Sequence, residues 1–320
     1  MVAAPAAPQE IMCRSSVGRA HTSELPASVG LLTARRFSLR AGIRASTLAS
    51  RREAVEQVIS TMQERLHEPL SLQTMADIAL LSPYHFSRVF RLITGITPCK
   101  YLTVLRMEAA ERLLLTTQRS VSEICFAVWF KSQGSFTMDF TRFVGMSPHR
   151  LRRLGADSDS RIWRSLHHGG NLFHMSPSAA GINGRITGPE SLRGLIFVGL
   201  ITTPFPQSKP AGCVHLSRPN TTYRVAQPPD GRYHVFAAAF DRPKNLLAFL
   251  APDHDTLWVG TTTSPLLVRH GRATGPTDVM LRPTRLTDPP ILVALPVLLA
   301  EQPARTAEAH DNYARATCPS

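Results

Sequence analysis

Apolar residues recur at three- and four-residue steps between residues 51 and 155 and then give way to short alternating runs. The chain therefore predicts helices first and strands afterwards. Val55, Val58, Ile59, Met62 and Leu66 form the first helical stripe, which should stop before Pro69. Ser71 then caps a short helix with Leu72, Met75, Ala76 and Ala79 inward. After a tight turn at Leu80 and Leu81, residues 82–91, SPYHFSRVFR, predict a helix with Ser82 as its cap and Pro83 in its first turn. Phe86, Val89, Phe90 and Ile93 share its inner face, and Tyr84, His85, Ser87, Arg88 and Arg91 its outer one. Gly95 is placed to end this helix in the left-handed conformation, and Pro98 to begin a long connector reaching about residue 115. On the connector, Leu102, Leu105, Ala109, Arg112 and Leu113 trace one side, with Tyr101, Val104, Glu108 and Glu111 beside it.

The pattern then repeats. Ser120 and Glu123 make a capping box that opens a helix with Ile124, Ala127 and Val128 inward. Ser71 and Ser120 are 49 residues apart, whereas Phe86/Phe136, Phe90/Phe140, Gly95/Gly145 and Pro98/Pro148 are each 50 apart. Two aromatic core positions, a helix stop and a helix start that keep one spacing mark two helix-turn-helix units in tandem. The extra residue falls in the second turn, Trp129-Phe130-Lys131.

Residues 51–155 resemble the DNA-binding module of the AraC/XylS family of bacterial transcriptional regulators. The resemblance rests on SLQTMADIALLSPYHFSRVFRLITGITPCKYL, LRMEAAERLLL and SVSEICFAVWFKSQGSFTMDFTRFVGMSPHRL, about a third of the chain. It implies that two recognition helices enter successive major-groove segments of double-stranded DNA, held apart by the connector. By position it implies base-facing roles for Tyr84, Ser87 and Arg88 in the first helix, with Arg91 beside them. In the second it implies such roles for Gln133, Gly134, Thr137 and Met138. Met138 stands where the family usually has arginine, so the first helix is expected to specify and the second mostly to position. Trp129 replaces a usual glycine. Either a left-handed bulky residue costs ~1–2 kcal/mol there, or the turn is remodelled around a packed indole.

Residues 155–180 are rich in Gly, Ser and His and read as a linker. His167, His168 and His174 lack a carboxylate or thiol at ligand spacing, so no metal site is expected. Beyond it, short runs at 182–187, 195–201, 213–216, 223–225, 232–240, 256–259, 266–269 and 278–282 are separated by Pro/Gly turns and predict an all-β sandwich. INGRITG, PDGRYHVFAAAF and GPTDVMLRP resemble the carboxypeptidase-regulatory, transthyretin-like sandwich, a likeness that implies a fold and no activity. Asp230 and Asp241 read as turn residues, and the apolar run near residue 291 as packing on the sandwich or on a second subunit.

The net charge of +13 suits a polyanionic partner, but the excess is +4, +5 and +4 over residues 1–47, 48–155 and 156–320 and does not locate the site. Five scattered cysteines without a CxxC pair fit a reducing cytoplasm. No GxSxG, HExxH, P-loop or strand-following GxGxxG is present, so no catalytic residue and no cofactor is assigned. Residues 1–48 lack a secretory pattern and read as a disordered arm, with an organellar leader as the lesser alternative. No stretch is long and apolar enough for a membrane span.

The expected organisation is multidomain α and β. An arm over 1–48 precedes an all-α tandem helix-turn-helix domain with its connector over 49–155. A linker over 156–180, an all-β sandwich over 181–300 and a tail over 301–320 follow. The expected function is a cytoplasmic, sequence-specific transcriptional regulator, not an enzyme. Its β half would sense an unidentified small-molecule effector, form a homodimer or contact a partner. Two alternatives stand beside it: a catalytic or ligand-binding β half tethered to DNA by the helices, and a nucleoid-type protein without sequence preference.

Overall fold

The computed structural model describes residues 34–156, 181–203, 210–226, 228–241, 250, 252, 256–270 and 272–292, with side chains from residue 47 onward except at 226. The chain divides into two compact units, Met1–Glu53 and Ala54–Ser320. The helical half and the strands thus belong to one unit.

Seven helices precede the strands among the described residues: α1 (Ala34–Glu64), α2 (Leu72–Ile78), α3 (Pro83–Thr94), α4 (Pro98–Thr116), α5 (Val121–Ala127), α6 (Gln133–Val144) and α7 (Pro148–Ala156). The helix expected from about residue 51 begins instead at Ala34, inside the segment expected to be an arm. Residues 34–50 are rich in Ala, Arg and Leu, which favour helix without forming an apolar stripe, so periodicity passes over them. From Val55 the stripe is as expected, with Val55, Val58, Ile59 and Met62 fully buried.

Each helix boundary has a local cause. The Ser71 hydroxyl accepts from the Thr74 amide at 3.0 Å. The Glu123 amide donates to Ser120 Oγ at 3.1 Å, and the Ser120 amide donates to Glu123 Oε2 at 2.6 Å, completing the capping box. Gly95 (φ 82°) and Gly145 (φ 87°) end α3 and α6 in the left-handed region, a conformation that costs any residue with a Cβ. Ser82 occupies the cap position of α3 without a side-chain hydrogen bond; Pro83 at the first position already presets the entry φ.

On α4 the buried arc is wider than the expected stripe and is rotated from it. Tyr101, Leu102, Val104, Leu105, Met107, Ala110, Glu111 and Leu114 are buried, whereas Arg112 is exposed. A connector that touches elements on several sides buries more than one stripe, and hydrophobic period alone cannot say which flank wins. Arg106, half-buried on this helix, donates to the Leu66 and Glu68 carbonyls and so fixes the chain between α1 and α2. Burial pulls its guanidinium down to about 10, which still leaves it charged at neutral pH.

Ten strands follow among the described residues: β1 (Gly181–Thr187), β2 (Gly194–Ile201), β3 (Gly212–Leu216), β4 (Thr221–Ala226), β5 (Gly231–Asp241), β6 (Leu257–Thr261), β7 (Leu266–Arg269), β8 (Arg272–Thr274), β9 (Val279–Met280) and β10 (Arg282–Pro283). One sheet has the order β4-β1-β9; the other has the order β10-β6-β5-β2-β3, with β7 on β5 and β8 on β7. The run expected as one strand over 278–282 is split. Val279 pairs in parallel with Ile186 of the smaller sheet, and Arg282 pairs with Val259 of the larger.

Alternation along β2 and β5 builds two cores at once. Ile196, Val198, Val235, Ala237 and Ala239 face Ile182, Ile186, Tyr223 and Val225 of the smaller sheet. Leu195, Phe197, Ala238, Phe240, Leu257 and Val259 join the apolar cluster of the helices on the other side. The larger sheet is thus a middle layer, which explains why LIFVGLI and VFAAAF are nearly continuous apolar runs. Ile291 and Leu292 are buried in the helical cluster; residues 293–300 lie outside the described residues, as do His167, His168 and His174. Asp230, in the turn before β5, accepts from the His270 amide; Asp241, expected as a turn residue, is instead the last residue of β5, where it accepts from the Arg193 amide.

Replacing Ser120 with alanine is expected to cost about 1 kcal/mol in urea unfolding, and Ser82→Ala only a few tenths, because only Ser120 bonds the orphan amides of its helix. The Ser120 side chain and then its backbone amide hold the Glu123 carboxyl below its ordinary range. A folded value below the unfolded one gives a contribution present above the unfolded carboxylate range and lost as pH falls through the folded value. The gap between wild type and Ser120→Ala should therefore narrow in acid.

Candidate nucleic-acid interface

Helices α3 and α6 are built alike. Phe86 and Phe90 are fully buried with ring centroids 5.5 Å apart, and Phe90 meets Tyr101 of α4 edge-on at 5.4 Å. Phe136 and Phe140 repeat this at 5.6 Å, and Phe130 from the preceding turn sits 5.4 Å from Phe136. With the inner rings locked in place, the outward side chains of each helix have little rotational freedom about the helix axis.

The turns match too. Leu80 (φ 54°) and Trp129 (φ 62°) are both left-handed. The Leu81 amide donates to the Ala76 carbonyl at 3.0 Å, and the Phe130 amide to the Cys125 carbonyl at 2.9 Å. Both pairs keep the 49-residue offset, so the inserted residue is Lys131. Of the two alternatives at Trp129, the backbone is left-handed and the indole 42% exposed: the turn is not remodelled around a buried ring.

The expected contact residues fall on the outward faces. On α3, Tyr84 is 74% exposed, Arg88 and Arg91 are exposed, and Ser87 is half-buried. The Arg88 guanidinium carbon lies 5.8 Å from the Tyr84 ring centroid, a stacking distance that orients the arginine fork. On α6, Gln133, Gly134, Thr137 and Met138 line one shallow depression with Thr141 and Arg142. Gln133 and Gly134 are exposed, Thr137 is half-buried and Met138 is 70% exposed.

The donors of the two faces are unequal. The Thr141 hydroxyl donates back to the Thr137 carbonyl at 2.7 Å. Arg142 pairs with Asp139 at 2.8 Å and lies over the Phe143 ring at 4.8 Å. On α6 the hydrogen-bonding side chains of the expected contact set are thus Gln133 and Thr137, whereas α3 presents Arg88, Tyr84 and Ser87 together.

Two basic residues escaped the sequence reading. Lys100, in the first turn of α4, has its ammonium pulled below the usual range by burial, then by the charges of Arg142 and Arg91. The positive charges of Arg91 on α3 and Arg142 on α6 thus both act on Lys100 of α4. Arg142 is visible in the sequence, but its influence on Lys100 is tertiary and no local pattern encodes it.

Residues 75–154 match the family described as "Helix-turn-helix domain". The chain is 31% identical over 102 residues to the bifunctional transcriptional activator/DNA repair enzyme AdaA of Bacillus subtilis (strain 168), covering 32% of this chain and 48% of that protein. It is 27% identical over 100 residues to the melibiose operon regulatory protein of Escherichia coli (strain K12), covering 31% and 33%. The segment is an AraC-type helix-turn-helix domain. A solved transcriptional regulator with an AraC-type DNA-binding domain, from Chromobacterium violaceum, is similar to this chain with 28% identity and a TM-score of 0.33, over 34% of this chain and 97% of that one. The chain spans less than half the length of these two curated relatives. No helix among the described residues is long and apolar enough to cross a membrane.

A Cβ added at Gly134 meets nothing within 4 Å, so the glycine is not held there by packing. Gly134→Ala is expected to leave thermal stability unchanged or to raise it by up to ~1 kcal/mol. A destabilised variant in a melting experiment would show that the backbone at this position needs glycine after all.

Proposed function

We propose that the protein is a sequence-specific, DNA-binding transcriptional regulator whose two helix-turn-helix units act in tandem. The observation that carries this reading is the duplicated construction of α3 and α6: the same left-handed turn, buried phenylalanine pair, glycine stop and following proline, each with an exposed polar face. Tyr84, Ser87, Arg88 and Arg91 are the proposed contacts of the first helix, and Gln133, Gly134, Thr137 and Met138 those of the second. Arg88 is assigned base reading, because bidentate arginine to guanine is the commonest specific contact and its fork is oriented on Tyr84. The cations Arg91, Lys100 and Arg142 are assigned to phosphates, which position the protein without reading sequence.

The strands are read as a sandwich serving effector sensing, dimerisation or partner contact. The named relatives are regulators or, for the B. subtilis protein, a regulator that is also a repair enzyme; the non-enzymatic reading of this chain rests on the first of these. One observation favours the rival of binding without sequence preference: α6 presents an exposed methionine and a paired arginine where a reader would present free donors. The ratio of affinities for selected and random DNA separates the two readings.

Arg88→Ala is expected to cost ~1–3 kcal/mol at the selected site and to relax preference at one base pair. Site selection with the intact chain and its Arg88→Ala variant measures this. An unchanged base preference in the variant would remove Arg88 from the readout.

A further inference from the structure

The corner of the larger sheet formed by β5, β7 and β8 gathers arginines on one side. Arg269 of β7 stands directly opposite Arg272 of β8, and Arg232 of β5 stands opposite Leu267, two residues before Arg269. Opposed residues, and residues two apart along a strand, share a face, so the three arginines stand together. All three are exposed, while Tyr233, Leu266 and Val268 on the other side are buried between the two sheets. Only residues 270 and 271 join β7 to β8, and His270 is left-handed (φ 50°), a tight turn that holds the Arg269–Arg272 register. Among the described residues no salt bridge takes up any of the three guanidinium groups. The carboxylates at this end of the sheet are Asp230 and Asp278, and each already accepts a backbone amide, of His270 and of Arg185, at 2.8 Å. Like charges directly opposite each other destabilise a strand pair, and an anion lying across them removes that cost.

The arginines lie on the side of the sheet that carries the helices. Along β5, Arg232, His234, Phe236, Ala238 and Phe240 alternate onto one side, and Ala238 and Phe240 are buried in the helical cluster. His234 and Phe236 line a cleft whose other wall includes Leu92 and Gly95 at the end of α3. Burial, and then the charge of Arg232, hold the His234 imidazole toward its neutral form. On α3, Tyr84, Arg88 and Leu92 follow one another at four-residue steps and form one outward stripe, with Tyr84 74% and Leu92 73% exposed. The stripe that carries Arg88 therefore ends, one turn further on, at the cleft from whose far wall the three arginines extend.

We propose that Arg232, Arg269 and Arg272 bind the phosphate backbone of duplex DNA flanking the sub-site of α3, so that the β half adds its own DNA contact. The assignment rests on the regulator reading, which supplies the duplex. A duplex carries one negative charge per ~1.7 Å of its axis, so arginines spread over three adjacent strands meet several phosphates at once. The planar guanidinium fork suits phosphate oxygens, and such contacts add affinity and fix orientation without reading sequence.

Fluorescence anisotropy of the intact chain on labelled duplexes, as a function of salt, tests this. One duplex ends close to the two sub-sites, a second is extended by about ten base pairs, one helical turn, beyond the α3 sub-site, and a third by as much beyond the α6 sub-site. The base preference relaxed by Arg88→Ala says which end belongs to α3. On the α3-extended duplex, the triple variant Arg232→Gln/Arg269→Gln/Arg272→Gln is expected to lower the slope of log affinity against log salt by about two to three. On the other two duplexes its slope should match that of wild type. Arg232→Lys/Arg269→Lys/Arg272→Lys should keep most of the slope, because lysine binds phosphate as a point charge. If the triple glutamine variant fails to fold, the single variants, each lowering the slope by about one, carry the same comparison. An unchanged slope on the α3-extended duplex, or the same loss on all three duplexes, overturns the assignment. Equal affinity of wild type for selected and random DNA overturns the regulator reading alone, and the slope on random DNA, lowered by the glutamine variant or not, then decides whether the arginines bind phosphate. Selective binding with a slope indifferent to the variant overturns the arginine assignment alone.

Discussion

The architecture depends on the side chain of Tyr101. Its ring packs edge-on against Phe90 on the inner face of α3, and its single hydroxyl proton is shared between the Leu286 and Asp288 carbonyls at 2.7 and 2.9 Å. One residue of the connector thus joins α3, whose outer face is exposed, to the segment that follows β10. Burial and the neighbouring charges of Glu108 and Asp288 keep the phenol protonated, so it remains a donor throughout the physiological range. Removing the oxygen would take this donor from both carbonyls at once.

From that joint the layers follow. Asp288 is itself held by both terminal nitrogens of Arg282, which belongs to the strand at the edge of the larger sheet. That sheet presents Phe197 and Phe240 to the helical cluster, their rings 5.9 Å apart, and Val198 and Ala237 to the smaller sheet. The helical half therefore does not hang on a free tether among the described residues; it is packed on the sheet through an apolar face. This packing also creates the cleft beside Gly95, where the polar groups of α4 and the strand ends meet around an apolar floor.

The helical half was legible in sequence because each of its features has a local cause. Gly95 and Gly145, Pro98 and Pro148, and the Ser120–Glu123 box are specified by backbone needs within a few residues, and the phenylalanine spacing makes the duplication visible. The strands were legible from alternation and turns, apart from the short β8 and the split at Leu281, whose cause is a change of sheet partner that no local pattern encodes. The residues expected to contact DNA lie on the outward faces of α3 and α6, Ser87 and Thr137 half-buried and the others exposed; whether they touch DNA is a matter of chemistry that the fold alone does not encode. What sequence could not show was tertiary: which flank of α4 is buried, the action of Arg91 and Arg142 on Lys100, and the second face of β2 and β5. Glu111 shows why. On a helix buried over a wide arc, a carboxylate in the inner stripe looks like an error of period until the opposing wall is known.

We propose that α3 and α6, each locked by its phenylalanine pair and joined through α4, read two sub-sites at a fixed separation. The most direct measurement is the affinity of the intact chain for its selected site before and after insertion of about five base pairs between the sub-sites, which turns one half-site to the opposite side of the duplex. Tight binding is expected to be lost, and to be regained when the insertion is extended to about ten base pairs, with sub-sites returned to one face. Equal affinity with and without the half-turn insertion would contradict it.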